Sequence, residues 1–127
     1  MNLLLDTHAL LWFVAGDARL SPVARQTIEA DETVNYISMA SWWEIAIKCS
    51  LGKLILDDSL DIFMKQRTAE GFRIMPLEPH HLHPLVELPF HHRDPFDRLI
   101  IRQSMVEDTA ICTCDENFKR YPVSLIW

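Results

Sequence analysis

Four carboxylates stand where acids can act together: Asp6, Glu44, Asp97 and Asp115. Asp6 follows the apolar run Leu3-Leu4-Leu5, and Asp115 follows Ala110-Ile111-Cys112-Thr113-Cys114. Both runs have the character of buried strands, so both acids fall just past a strand end. Glu44 and Asp97 fall in the first turns of helical segments that begin near strand ends. Carboxylates gathered at one edge repel and raise one another's pKa values unless a cation neutralises them. Mg2+ or Mn2+ meets that need, because these hard ions take oxygen ligands, retain waters and often sit between carboxylates and substrate phosphates. An ion so held lowers the pKa of a bound water, and a pair of ions stabilises both the attacking and the leaving oxygen of a phosphodiester. Whether one or two ions are held is open.

Each acid has a plainer role beside this one. Asp6 can cap the helix that follows it. Glu44 stands three residues after Ser41, as in a capping box, or one turn further in if the helix starts at Ser38. Asp94 precedes Pro95 and reads as an N-cap, which puts Asp97 at the third helical position, where acids favour the helix dipole. Asp115 can be an ordinary turn residue. Capping explains any one of them; it does not explain four at one edge.

The elements that must position these acids follow from punctuation and apolar runs. Strands are predicted at Asn2–Leu5, Val34–Ile37, Arg73–Leu77, Ala110–Thr113 and Val123–Ile126, most without polar alternation, as in strands buried on both faces. Helices are predicted from Ser21-Pro22 to about Ala30, over Ser38–Leu51 with Gly52 as stop, over Ser59–Glu70 with Gly71 as stop, over His80–Leu88, and from Asp94-Pro95 to about Glu107. Strands alternating with helices imply right-handed crossovers and a three-layer α/β/α sandwich around a mostly parallel five-stranded sheet. In such sheets ligands bind at the carboxyl ends of the strands, where the four acids fall.

The 127 residues fit one domain, 1–127, and 49% hydrophobic content with 24% charged residues is the profile of a packed globular core. A net charge of -6 argues against binding nucleic acid through a basic surface. Bound metal would reverse the local sign and let phosphate approach. Cys49, Cys112 and Cys114 make an odd number, which points to a reducing compartment and a cytoplasmic protein. The last two would lie on opposite faces of a strand, which disfavours a shared zinc. The apolar stretch Leu3–Val14 is broken by Asp6 and His8 and falls short of the roughly 20 residues that span a bilayer, so no membrane partner is expected.

The motifs together resemble the PIN-domain nucleases, specifically VapC toxins, over essentially the whole chain. Leu3-Leu4-Leu5-Asp6-Thr7-His8 is similar to the family's first motif, and Ile37-Ser38 through Trp43-Glu44 and Lys48 to its second. Arg93-Asp94-Pro95-Phe96-Asp97-Arg98 is the most specific match, and Thr113-Cys114-Asp115-Glu116-Asn117-Phe118 resembles the fourth motif, with Asn117 where a further Asp is common. The resemblance implies that Asp6, Glu44, Asp97 and Asp115 are catalytic metal ligands for Mg2+ or Mn2+. It also implies an RNA substrate, a homodimer, and a cognate antitoxin that forms a heterooligomer with the chain and blocks the site. In the family's proposed chemistry a metal-activated water attacks in line and leaves a 5'-phosphate and a 3'-hydroxyl.

Supporting roles are read for four further residues. Thr7 and Ser38 can hydrogen-bond metal-bound water or a ligating carboxylate, or serve only as turn and cap. Lys48 and Arg98, with Arg93 and Arg102, can receive RNA phosphate or lie on solvated helix faces. His80, His81, His83, His91 and His92 crowd one region, but their spacing matches no recurrent zinc motif. Adjacent Trp42 and Trp43 cannot share one core, so one of them should meet a partner. A haloacid-dehalogenase-like phosphatase needs Asp-x-Asp after the first strand, where His8 stands, and a receiver domain needs an acidic pair there that is missing. A non-catalytic binding module on the same fold remains an alternative, to be separated by whether Asp6→Asn abolishes RNA cleavage while binding persists.

Overall fold

A computed structural model describes residues 1–127. Its centre is a parallel sheet of five strands: β1 (Asn2–Leu5), β2 (Val34–Ser38), β3 (Arg73–Met75), β4 (Ala110–Cys112) and β5 (Leu125–Ile126), in the order β3-β2-β1-β4-β5. β1 is the middle strand, pairing Leu5 with Ile37 on one side and with Cys112 on the other. The strand predicted over Arg73–Leu77 stops before Pro76, which has no N–H for a ladder, and the one over Val123–Ile126 shortens to two residues after Pro122.

Alternate residues of β1 enter different cores, which is why its sequence shows no polar alternation. Leu3 and Leu5 pack with Ala9, Leu10, Trp42, Ile45 and Phe63, beneath α1 (Thr7–Ala15), α2 (Pro22–Glu29), α3 (Met39–Ser50) and α4 (Leu60–Ala69). Leu4 faces the other way, toward Ile100, Ile101, Ile111, Phe118 and Tyr121, beneath α5 (Pro79–Leu85), α6 (Pro95–Glu107) and a 3-10 helix, Glu116–Arg120. All three leucines are fully buried, each contributing on the order of 2 kcal/mol. This is a three-layer α/β/α arrangement.

α1 was not separable in the sequence as an element, because Thr7–Ala15 is apolar nearly all round and runs on from the strand. Asp6 starts it by accepting the Ala9 N–H at 2.8 Å, and Gly16, at φ 64°, ends it in the left-handed region. Ser38 rather than Ser41 caps α3, accepting the Ala40 N–H at 3.0 Å, so Glu44 stands a full turn inside the helix and is no capping-box partner. Trp42 is buried against Phe63, whereas Trp43 is 56% exposed and makes an edge-to-face pair with Phe96. No helix is long and apolar enough to cross a membrane.

Candidate metal centre

The carboxyl edge of the sheet opens into a cleft of about 160 Å³ whose lining contains no hydrophobic residue. Asp6, Glu44, Asp97 and Asp115 all line it, joined by Asp94, Thr7, His8 and Lys48. The four acids separated by 109 residues of chain (115 minus 6) meet because β1 and β4 are neighbours and because α3 and α6 both begin at this edge.

Backbone and hydroxyl donors fix the carboxylates individually. Asp6 is 7% exposed; beside its bond from Ala9, its Oδ2 accepts a short hydrogen bond from Thr113 Oγ1. The same Thr113 oxygen accepts the Asp115 N–H at 3.1 Å, so one hydroxyl ties the first acid to the last. Asp115 in turn accepts the Asn117 N–H at 2.9 Å and starts the 3-10 helix. Glu44 takes the Thr7 hydroxyl on Oε1 at 2.6 Å and the Lys48 ammonium on Oε2 at 3.0 Å. Asp94 spans the start of α6, accepting the N–H groups of Phe96 and Asp97 at 2.9 and 3.0 Å. Both Asp94→Asn and Asp94→Ala remove its charge, but only Asn keeps the acceptor; urea denaturation is expected to find the Ala variant less stable than the Asn variant by about 1 kcal/mol.

Charge at this edge is unbalanced, with five carboxylates facing one lysine. The cost concentrates on Asp97. Burial, then the neighbouring charges of Asp94, Asp115, Asp6 and Glu44, push its pKa up to about 8. Asp6 is also raised, mainly by burial, with the Thr113 and Ala9 hydrogen bonds pulling the other way. The donor set is all oxygen and hard, the walls are polar, and the electrostatic strain is one a divalent cation relieves, so these residues fit Mg2+ or Mn2+. A softer ion would lack nitrogen or sulfur ligands here apart from His8.

The predicted supporting residues divide. Thr7 and Lys48 stand in the cleft, each bonded to Glu44. Ser38 is fully buried and turns away, donating to Gln103 Oε1 while it caps α3. Arg98 is not available to phosphate: it is 5% exposed, its guanidinium donates to the carbonyls of Leu88 and Pro89 at 2.9 and 2.8 Å, and it stacks over Phe90. Thr113 was missed as a participant; its place directly after a strand and two residues before an acid is the signal that could have found it.

The histidine-rich region builds hydrogen bonds instead of a ligand set. His80 and His81 both bring Nε2 to one oxygen of Glu107, at 2.8 and 2.7 Å. Their hydrogen bonds hold the Glu107 carboxyl below its usual range, His80 contributing most. His81 Nδ1 accepts the Glu78 N–H, which leaves its proton on Nε2 and that nitrogen without a lone pair for a metal. Cys112 is buried at the sheet, its thiol pushed up to about 12 by desolvation, and Cys114 is exposed.

The comparisons agree with this architecture. The family model for the PIN domain matches residues 3–123. Ribonuclease VapC22 of Mycobacterium tuberculosis is 31% identical over 122 residues, covering 94% of this chain and 92% of that protein. Among solved structures, VapBC2 from Rickettsia felis bound to a promoter DNA fragment aligns with a TM-score of 0.73 at 16% identity, over 98% of this chain and 97% of that one. A toxin-antitoxin complex from Klebsiella pneumoniae aligns with a TM-score of 0.64 at 21% identity, over 94% and 92%. Family model, ribonuclease relative and shared fold lead to one assignment: the chain belongs to the PIN-domain family, in its VapC-type branch.

Proposed function

We propose that the chain is a single PIN-like nuclease domain that acts as a Mg2+- or Mn2+-dependent endoribonuclease, the toxin of a VapC-type pair, in the cytoplasm. The observation that carries this is the convergence of Asp6, Glu44, Asp97 and Asp115 in a small cleft without apolar lining. A divalent ion held there would lower the pKa of an attacking water and offset the charge of the phosphodiester. Asp6, the most buried of the four, and Asp97, whose charge is the most strained, are the principal ligands; Glu44 and Asp115 complete the set. Thr7 orients Glu44, Thr113 keeps Asp6 and Asp115 in a fixed relation, and Lys48 supplies the one ammonium that an RNA phosphate meets at the rim. Relatives solved as toxin-antitoxin complexes support a cognate antitoxin as partner of this chain, and the family resemblance supports a homodimer.

The deciding experiment is cleavage of structured RNA by purified protein. Phosphodiester hydrolysis is expected with Mg2+ or Mn2+ and loss of it on addition of EDTA, with recovery when the ion is restored. Undiminished activity in EDTA rejects the mechanism. Asp6→Asn that still binds RNA but does not cut it separates the enzyme from a non-catalytic binding module.

A further inference from the structure

Asp97 has a neighbour outside the acidic constellation. His92 lies on the loop before α6 with its side chain 10% exposed, and its Nε2 faces Asp97 Oδ2 at 3.5 Å. That nitrogen is buried and has no hydrogen-bond partner. Few buried polar atoms in native folds are left so, and contacts at active sites are often long before the site is loaded.

The other ring nitrogen is held. His92 Nδ1 lies 3.0 Å from the Tyr121 hydroxyl, and that hydroxyl has a second acceptor in reach, the Pro89 carbonyl at 3.1 Å. Pro89 already accepts an Arg98 N–H at 2.8 Å, and the same Arg98 nitrogen lies 3.4 Å from the Tyr121 oxygen. The Pro89 carbonyl can take the phenol proton on its second lone pair, so the Tyr121 hydroxyl has two acceptors, and donation to His92 Nδ1 is the arrangement adopted in the proposal that follows. A neutral imidazole that accepts on Nδ1 carries its proton on Nε2, the nitrogen that faces Asp97. The ring packs against Phe118 and Tyr121, both buried, which limits its rotation.

We propose that His92, set in its Nε2–H tautomer by Tyr121, is the positioning residue for Asp97: it holds Oδ2 from the loop side and leaves the other carboxylate oxygen for the cation. This rests on the metal-nuclease reading above. Partners that orient a ligating carboxylate typically change metal affinity by roughly 10- to 100-fold.

The test is Mn2+ titrated into the purified protein, with free ion followed by electron paramagnetic resonance. His92→Phe is expected to raise the Kd for Mn2+ about tenfold or more. His92→Gln, whose amide N–H can take the place of Nε2–H, should recover most of that loss, and Tyr121→Phe, which keeps its ring, should lose affinity several-fold. In an Asp97→Asn background, His92→Phe should add nothing. Unchanged affinity in His92→Phe, no recovery with Gln, or an equal loss in the Asp97→Asn background overturns the proposal, since a packing role would lower thermal stability without this pattern. Should His92→Phe not fold, Tyr121→Phe in the two backgrounds decides in its place. A wild-type protein that binds no Mn2+ removes the metal reading itself, and the role of His92 falls with it.

Discussion

Asp97→Asn is expected to lose RNA cleavage by roughly 10³-fold or more, equivalent to about 4 kcal/mol of transition-state stabilisation, while making the metal-free protein more stable. The second half follows from the raised pKa of Asp97, about 8 in the folded protein. An unfolded chain releases this proton near pH 4 (about 3.9 for a free Asp), so between about pH 4 and pH 8 the native state binds more protons than the unfolded one. Stability therefore falls as pH rises through that window, and is lowest where Asp97 is fully ionised among its neighbours. An amide cannot ionise. Partial exposure of the group softens the repulsion, and the gain from Asp97→Asn without metal is expected to be about 2 kcal/mol near pH 8, a rise in Tm of roughly 5 to 10 °C, shrinking toward zero near pH 4. Mg2+ should close the gap by stabilising the wild type and not the variant. Thermal melts at the two pH values, with and without Mg2+, check this; a variant that is less stable at the higher pH contradicts an electrostatically strained cleft.

Arg98→Ala is expected to cost about 3 to 5 kcal/mol, in contrast to the small change that a solvated phosphate-binding arginine would give. The guanidinium serves two carbonyls, Leu88 and Pro89, that the loop cannot satisfy by itself, and covers one face of Phe90, a ring that is 75% exposed even with Arg98 in place. Arg98→Lys should fall between, because one ammonium cannot reproduce the fork. Urea denaturation measures the loss, and hydrogen exchange should show it centred on residues 86–93. Normal stability with weakened RNA binding would instead restore the phosphate role expected from the sequence.

Arg98 shows what the sequence concealed. Beside Asp97 at the start of a helix, an arginine looks like a surface charge, and only the tertiary fold reveals a loop folded over it whose carbonyls it pairs. Thr113 was hidden for the same reason: its partner Asp6 lies 107 residues away. The sheet, by contrast, was legible, since Leu3-Leu4-Leu5 and Ala110-Ile111-Cys112 are continuously apolar and parallel strands are covered on both faces. Asp94-Pro95 announced both the start of α6 and the position of Asp97 in its first turn. α1 was not legible as a separate helix, because periodicity cannot show where a buried strand hands over to a buried helix.

Placing β1 between β2 and β4 has a bearing on synthesis. The central strand is made before the four that flank it, yet two of the four acids, and the threonine that aligns Asp6, come only with α6 and the segment after β4. A fragment that stops short of α6 carries Asp6 and Glu44 alone, and one that stops short of β4 still lacks Asp115 and the threonine that ties it to Asp6. The acidic cleft is thus complete only once the segment from β4 to the 3-10 helix has joined the sheet, however early its first two acids are in place.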